Sequence, residues 1–268
     1  MDVGKLKVTI LGCGTSTGVP LIHCSCEVCT STDPKNKRLR VSLWIQTADK
    51  SFVVDVGPDF RAQALQSKIP RIDAILITHP HYDHIGGLDE IRSYNFLQKE
   101  EIPLFAHEWS LRELKQRLPY LFTDTKKKEG GGIAKITLHE FKLADSVFNV
   151  QGVQVVPVAM DHGSEQVAGF RIGNFAYLTD CHHIPESSFP RLLNLELLIL
   201  DCLRLSHHDT HLNFDQAMAY AVKIGAKQTI FTHMSHDFDY DSFSRGLPKS
   251  MALAYDGMVI NLKENKSP

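Results

Sequence analysis

Short apolar runs recur along the chain, and most are closed by Gly, Pro, Asn or Asp, the residues that punctuate strands and helices. Residues 8–11 form the first run and end at Gly12-Cys13-Gly14, a strand running into a turn. Residues 41–46 and 52–56 flank Ala48-Asp49-Lys50 and predict two paired strands. Residues 72–78 are mostly apolar, as a strand covered on both faces should be. Further strands are expected at 102–106, 148–150, 153–158, 168–172, 175–179, 197–200 and 228–231, with Gly173-Asn174 as a two-residue hairpin turn. Helical spacing is found at 58–69, where Phe60, Ala64, Leu65 and Ile69 share one face behind Pro58. It recurs after Gly87, at 110–118, and at 214–224 ahead of Gly225. Runs of strands with helices between them predict two sheets packed together with helices outside.

Composition adds limits. The chain has 268 residues, 43% apolar and 22% charged, which excludes a disordered chain, a collagen-like repeat and a small disulfide scaffold. No linker divides it, so it reads as one domain over 1–268. The net charge of −2 leaves no global basic field to gather nucleic acid or an anionic membrane. The start lacks the apolar core of a signal peptide, and the most apolar later stretch, 192–200, contains Asn194 and Glu196 and is too short to span a bilayer. A cytoplasmic protein with reduced thiols is the expectation, which turns clustered cysteines toward metal binding. Residues 126–132 read by composition as a mobile basic loop, either solvated or a lid over a site.

The unusual counts are 14 His and 6 Cys. Thr78-His79-Pro80-His81-Tyr82-Asp83-His84-Ile85-Gly86-Gly87 places four potential ligands directly after an apolar strand. A continuing strand would put His79, His81 and Asp83 on one face. A turn after His81 would swing Asp83 and His84 toward a second point. One segment could then serve two neighbouring metals, with imidazole suiting Zn²⁺ and the carboxylate widening the choice toward Mn²⁺ or Fe²⁺. Cys24, Cys26 and Cys29 form a compact thiolate claw that needs a fourth ligand for tetrahedral Zn²⁺; His23, Cys13 and a distant His are all open.

The His-x-His-x-Asp-His segment resembles the motif of the metallo-β-lactamase superfamily. The resemblance implies a four-layer αββα sandwich of the α/β class, with metals at the open edge between the sheets. It implies that His79 and His81 hold one metal, Asp83 and His84 the other, and that His162, a bridging Asp180 and His233 complete the set from strand ends. Asp55 resembles the family's carboxylate that orients the histidine loop. The claw beside such a core is similar to the phosphoribosyl cyclic phosphodiesterases of phosphonate operons. In that branch the fourth structural ligand lies three residues after the last histidine, which is His236 here. A non-ligand histidine about 22 residues before the final catalytic-site ligand, His233, protonates the leaving oxygen or stabilises the phosphorane in that branch, which points to His211, with His207 and His208 as fallbacks. His182, His183 and Cys181 are taken as supporting or surface residues.

The implied protein is a dinuclear phosphodiesterase with two catalytic Zn or Mn ions and one structural Zn, acting on a small phosphodiester such as phosphoribosyl 1,2-cyclic phosphate. A homodimer is implied by resemblance alone. The rivals are an enzyme like the tRNA 3′-end endonucleases and a non-catalytic metal- or partner-binding protein. Against the endonuclease stand the near-neutral charge and the missing basic arm insertion.

Overall fold

The computed structural model describes residues 5–122 and 132–262, which carry two seven-stranded sheets. The first sheet holds β1 (Leu6–Gly12), β2 (Ser42–Gln46), β3 (Ser51–Val54), β4 (Ala74–Leu76), β5 (Ile102–His107) and β6 (Ile136–Phe141). The second holds β7 (Phe148–Val150), β8 (Val153–His162), β9 (Glu165–Ile172), β10 (Phe175–Leu178), β11 (Leu197–Asp201), β12 (Gln228–Thr232) and β13 (Met251–Leu253). The last strand, β14 (Val259–Leu262), returns to pair antiparallel with β1. Each sheet is half antiparallel and half parallel: β3 to β6 run parallel in the first, β10 to β13 in the second.

The α-helices are α1 (Glu27–Thr30), α2 (Phe60–Ser67), α3 (Tyr82–Ile85), α4 (Ile91–Gln98), α5 (Glu108–Arg117), α6 (Phe214–Ile224) and α7 (Tyr240–Gly246). Burial along the strands explains the layers. On β3, Phe52 and Val54 join one apolar cluster with Val158, Phe170 and Leu200 of the second sheet. Val53, between them, joins a separate cluster with Phe60, Ile91 and Leu114 of the helices. Both faces of the strand are therefore covered, one by the opposite sheet and one by helices. Ala217 and Ala221 of α6 pack against the second sheet from outside. This is the four-layer αββα sandwich expected from the sequence.

The helix predicted at 58–69 starts at Phe60, and one of its four stripe residues is misplaced. Phe60 and Ile69 are buried, but Leu65 is 63% exposed. Gln63 takes the inner position instead and donates from Nε2 to the Arg40 carbonyl at 2.8 Å. Among the described residues no helix is long and apolar enough to cross a membrane. The basic run 126–131, with its proposed lid role, lies outside the described residues.

Candidate functional site

Residues brought together here come from the carboxyl ends of strands in both sheets. Beyond β4, the chain leaves the sheet at Ile77 and turns through His79-Pro80-His81 into α3, with His81 at its N-cap. Of the two courses the sequence allows, the turn after His81 is the one taken. A helical turn carries Asp83 and His84, and this is what separates them from the His79–His81 pair. Gly87, which follows, and Gly57, after β3, are required by close approach. A Cβ on Gly87 would overlap the Gly57 carbonyl, and one on Gly57 would overlap that of Asp83. Backbone bonds Val56 N to His84 O, at 2.7 Å, and Gly87 N to Val56 O, at 2.9 Å, lock the loops together.

Asp55, after β3, is fully buried and organises the histidine loop. Its Oδ1 accepts the Thr78 N–H at 2.9 Å, and its Oδ2 accepts the Thr78 hydroxyl at 2.8 Å. The same Oδ2 meets His84 Nδ1 at 2.8 Å, which leaves Nε2 facing inward. Asp55, Asp180 and His233 all have left-handed backbone, with φ of 62°, 58° and 60°. Non-glycine residues rarely adopt it, and it clusters at functional sites, where neighbouring structure enforces it.

Two donor groups hold the expected catalytic ligands, His79, His81 and His162, and Asp83, His84, Asp180 and His233, with ligand atoms within 4.8 Å of one another inside each; His211 comes as close to His162 with Asp180, and to His233 with Asp201. His79 Nε2 and His81 Nδ1 lie 2.9 Å apart. Asp180 Oδ1 lies 3.1 Å from His233 Nε2, 3.4 Å from His84 Nε2 and 3.9 Å from His79 Nε2, so it faces both groups. Yet His84 Nε2 and both His233 nitrogens are buried and make no hydrogen bond. Buried polar atoms that converge without satisfying one another are what a divalent cation would complete. The residues present fit a two-metal centre.

Electrostatics agree. Burial holds His162 down to about 4 and His79 well below its usual value, keeping both neutral. Burial also pushes the Asp180 carboxyl up, but the His233 and His84 charges outweigh it and hold it well below the ordinary carboxylate range. Burial lowers His233, while Asp180 more than reverses this and raises it to about 9. A field that draws protons onto these imidazoles also draws a cation.

His211 is 9% exposed and stacks on His233 with ring centroids 4.7 Å apart. It is also 4.7 Å from the His162 ring. Asp201, which the sequence reading missed, holds this corner. Its Oδ1 accepts the Asp180 N–H at 3.0 Å and lies 3.4 Å from His211 Nδ1 and 3.5 Å from His233 Nδ1. Its Oδ2 accepts the Leu212 N–H at 3.0 Å. On the other side of the site, the half-buried Trp109 stands edge-on to His81 with centroids 6.3 Å apart. His183 pairs with Asp161 at 2.7 Å, and His208 lies 5.1 Å from the His211 ring. His182, His183, His207 and His208 belong to neither donor group.

Of the three candidates for the fourth position of the claw, it is the distant histidine, His236, that meets the thiols. Cys24, Cys26 and Cys29 Sγ lie 3.2, 3.5 and 3.4 Å from His236 Nδ1, and neither Cys13 nor His23 joins them. Cys26 caps α1, and the Cys29 N–H bond to its sulfur is the main cause that lowers its pKa to about 7. Three thiolates and an imidazole suit structural Zn²⁺.

A family model described as a beta-lactamase superfamily domain matches residues 50–234. The crystal structure of a new diphosphatase from the PhnP family superposes with a TM-score of 0.89 at 39% identity, covering 96% of this chain and 97% of that one. An octanoyltransferase of Porphyromonas gingivalis is 36% identical over 97% of this chain but only 52% of its own length. Human short-form tRNase Z shares the fold with a TM-score of 0.67 at 20% identity, covering 95% of this chain and 98% of that one. The chain spans about half the length of the first curated relatives it matches, 52%, 44% and 44%.

Proposed function

Since the chain belongs to the beta-lactamase superfamily and, within it, to the PhnP family, we propose that it is a dinuclear metal-dependent phosphodiesterase acting on a small phosphodiester. A cyclic ribose phosphate such as phosphoribosyl 1,2-cyclic phosphate is the substrate we favour. The observation that carries this reading is Asp180 facing both donor groups with His211 at their edge, held by Asp201.

His79, His81 and His162 would hold one divalent ion, Asp83, His84 and His233 the second, and Asp180 would be shared. Nitrogen and carboxylate donors suit Zn²⁺ or Mn²⁺, while the thiolates of Cys24, Cys26 and Cys29 with His236 select Zn²⁺. Divalent ions in such a centre supply Lewis-acid charge that activates water near neutral pH and neutralises charge growing on phosphorus. The chain's own groups do the rest. Asp55 fixes the His84 ring through Nδ1, so only Nε2 is offered to the centre. The Thr210 carbonyl fixes His162 through its Nδ1 at 2.9 Å. His211 Nδ1 faces Asp201, which leaves Nε2 to give a proton to the departing oxygen. A positioned acid of this kind contributes about 10² to 10⁴ in rate.

The test is turnover of bis-p-nitrophenyl phosphate, a cyclic ribose phosphate and precursor tRNA by the Zn- or Mn-loaded protein. The cyclic diester should be the best substrate, and a chelator should abolish its hydrolysis. Preference for precursor tRNA would make it a processing endonuclease. No turnover of any diester by fully loaded protein would leave a binding protein.

A further inference from the structure

Arg38 is 1% exposed, one of the largest side chains buried in the molecule; among the described residues it forms no direct ion pair, and the charges of Asp256, Asp239 and Asp33 reach it only from further off. Its guanidinium is spent on backbone. Nη1 donates to the Ser235 carbonyl at 2.8 Å, and Nη2 donates to the Phe238 carbonyl and to Asn36 Oδ1. Those two carbonyls flank His236, the fourth member of the claw, and Ser235 is two residues from His233 in the catalytic centre. The Arg38 backbone reaches the other way. It exchanges both hydrogen bonds with Val19, at 2.8 and 2.9 Å, on the segment that leads into the claw cysteines. Its neighbours extend the clamp. Lys37 Nζ donates to the Cys29 carbonyl at 2.9 Å, Asn36 Nδ2 to Asp239 at 2.8 Å, and the Tyr240 N–H to Asn36 Oδ1 at 2.9 Å.

Burying a cation without a direct ion pair is costly, and an apolar residue of similar volume is often as good or better for stability alone. What an apolar residue could not do is fix two carbonyls of one loop and a side-chain oxygen from a single planar fork. We propose that Arg38 is a positioning residue that sets the His233–His236 loop for both metal sites at once, coupling the claw to the catalytic centre. This rests on the metal assignments made above. The same loop also floors a cavity of about 320 Å³, where Ser235, His236 and Asp237 face Thr15, Arg204 and His208. The cavity opens beside the His208 ring, next to His211. A loop that shifts would therefore change substrate binding as well as metal binding.

The experiment compares wild type with Arg38→Lys, which keeps the charge and loses the fork, and with Val155→Ala, a core variant on β8 far from both sites. Zinc release from the claw is followed with a chromogenic chelator, and occupancy of the catalytic centre by Mn²⁺ titration. Groups that support ligands typically shift metal affinity 10- to 100-fold. Arg38→Lys should release claw zinc at least ~10-fold faster and need ~10-fold more Mn²⁺, with KM raised more than kcat is lowered. Val155→Ala, even at an equal fall in melting temperature, should do neither. Should Arg38→Lys fail to fold, Asn36→Ala removes the outer half of the clamp and should shift both readouts in the same direction by a smaller factor. Wild-type release and wild-type Mn²⁺ affinity in a folded variant would overturn the proposal, as would equal losses in Val155→Ala. A wild type that holds no claw zinc would instead refute the ligand assignment beneath it.

Discussion

His211 is the residue whose role separates phosphodiester chemistry from mere metal binding. The seven core ligand positions proposed above are taken by other residues, and the ring is held against Asp201 and His233. His211→Ala should keep its metal content and lose about 10² or more in kcat/KM on an alkyl diester. The loss should be small on a nitrophenyl diester, whose leaving group needs no proton. Equal losses on both would mean positioning or charge stabilisation in place of acid catalysis. The side chains that converge in the two donor groups were legible in the sequence because each follows a recognisable apolar strand or sits within one dense motif. Asp201 was not. An aspartate ending Leu197–Asp201 looks like any turn former, and its meaning arises only when 180, 211 and 233 converge on it in space. Arg38 was hidden for the same reason: nothing local marks a side chain whose partners lie about 200 residues away.

At the scale of elements, α6 was legible at both ends because its caps are written locally. Asn213 and Gln216 form the capping box, and Gly225 closes the helix with φ of 67°. The strands missed were β6, β13 and β14. β6 has only one buried residue, Phe141, and β14 pairs with β1 across nearly the whole chain, so neither shows a strong local pattern. Of the two backbones the His79–His84 segment allows, the turn after His81 is the one formed, as a helical turn over Tyr82–Ile85. The Gly57–Gly87 contact that holds this turn in place is itself testable. Gly87→Ala should destabilise the protein by about 1–3 kcal/mol through overpacking, and should weaken Mn²⁺ binding by shifting Asp83 and His84. Calorimetry with a metal titration checks both. Unchanged melting and unchanged affinity would mean the turn has slack that the packing does not show.

Across the whole molecule, the connection between β13 and β14 is tied to the N-terminal segments by backbone bonds to Ile10 and by one half-buried carboxyl. Asp256 accepts the Cys13 N–H at 3.0 Å and the Leu39 N–H at 2.7 Å. Burial pushes its pKa from 3.8 up to about 6. The unfolded chain therefore releases this proton first. The stability it contributes is full below pH ~4 and is lost as pH rises through 6, a span of about 3 kcal/mol at 1.36 kcal/mol per unit. In chelator-treated protein, denaturant melts at pH 4 and pH 7 should show Asp256→Asn gaining on wild type by up to that amount. A difference independent of pH would mean that Asp256 titrates normally. The layered fold was readable from strand and helix order, but this tie, like the claw's closure by His236, joins segments more than 200 residues apart.

The shared two-metal centre proposed to hydrolyse phosphodiesters is tested most directly by the turnover of a cyclic ribose phosphodiester while metal-free protein is titrated with Zn²⁺ or Mn²⁺, with bound metal counted at each point. Turnover should stay near zero while the claw fills and rise as two further ions bind, and Asp180→Ala should show no such rise. Full turnover with only the claw loaded, or none with all three ions bound, would contradict it.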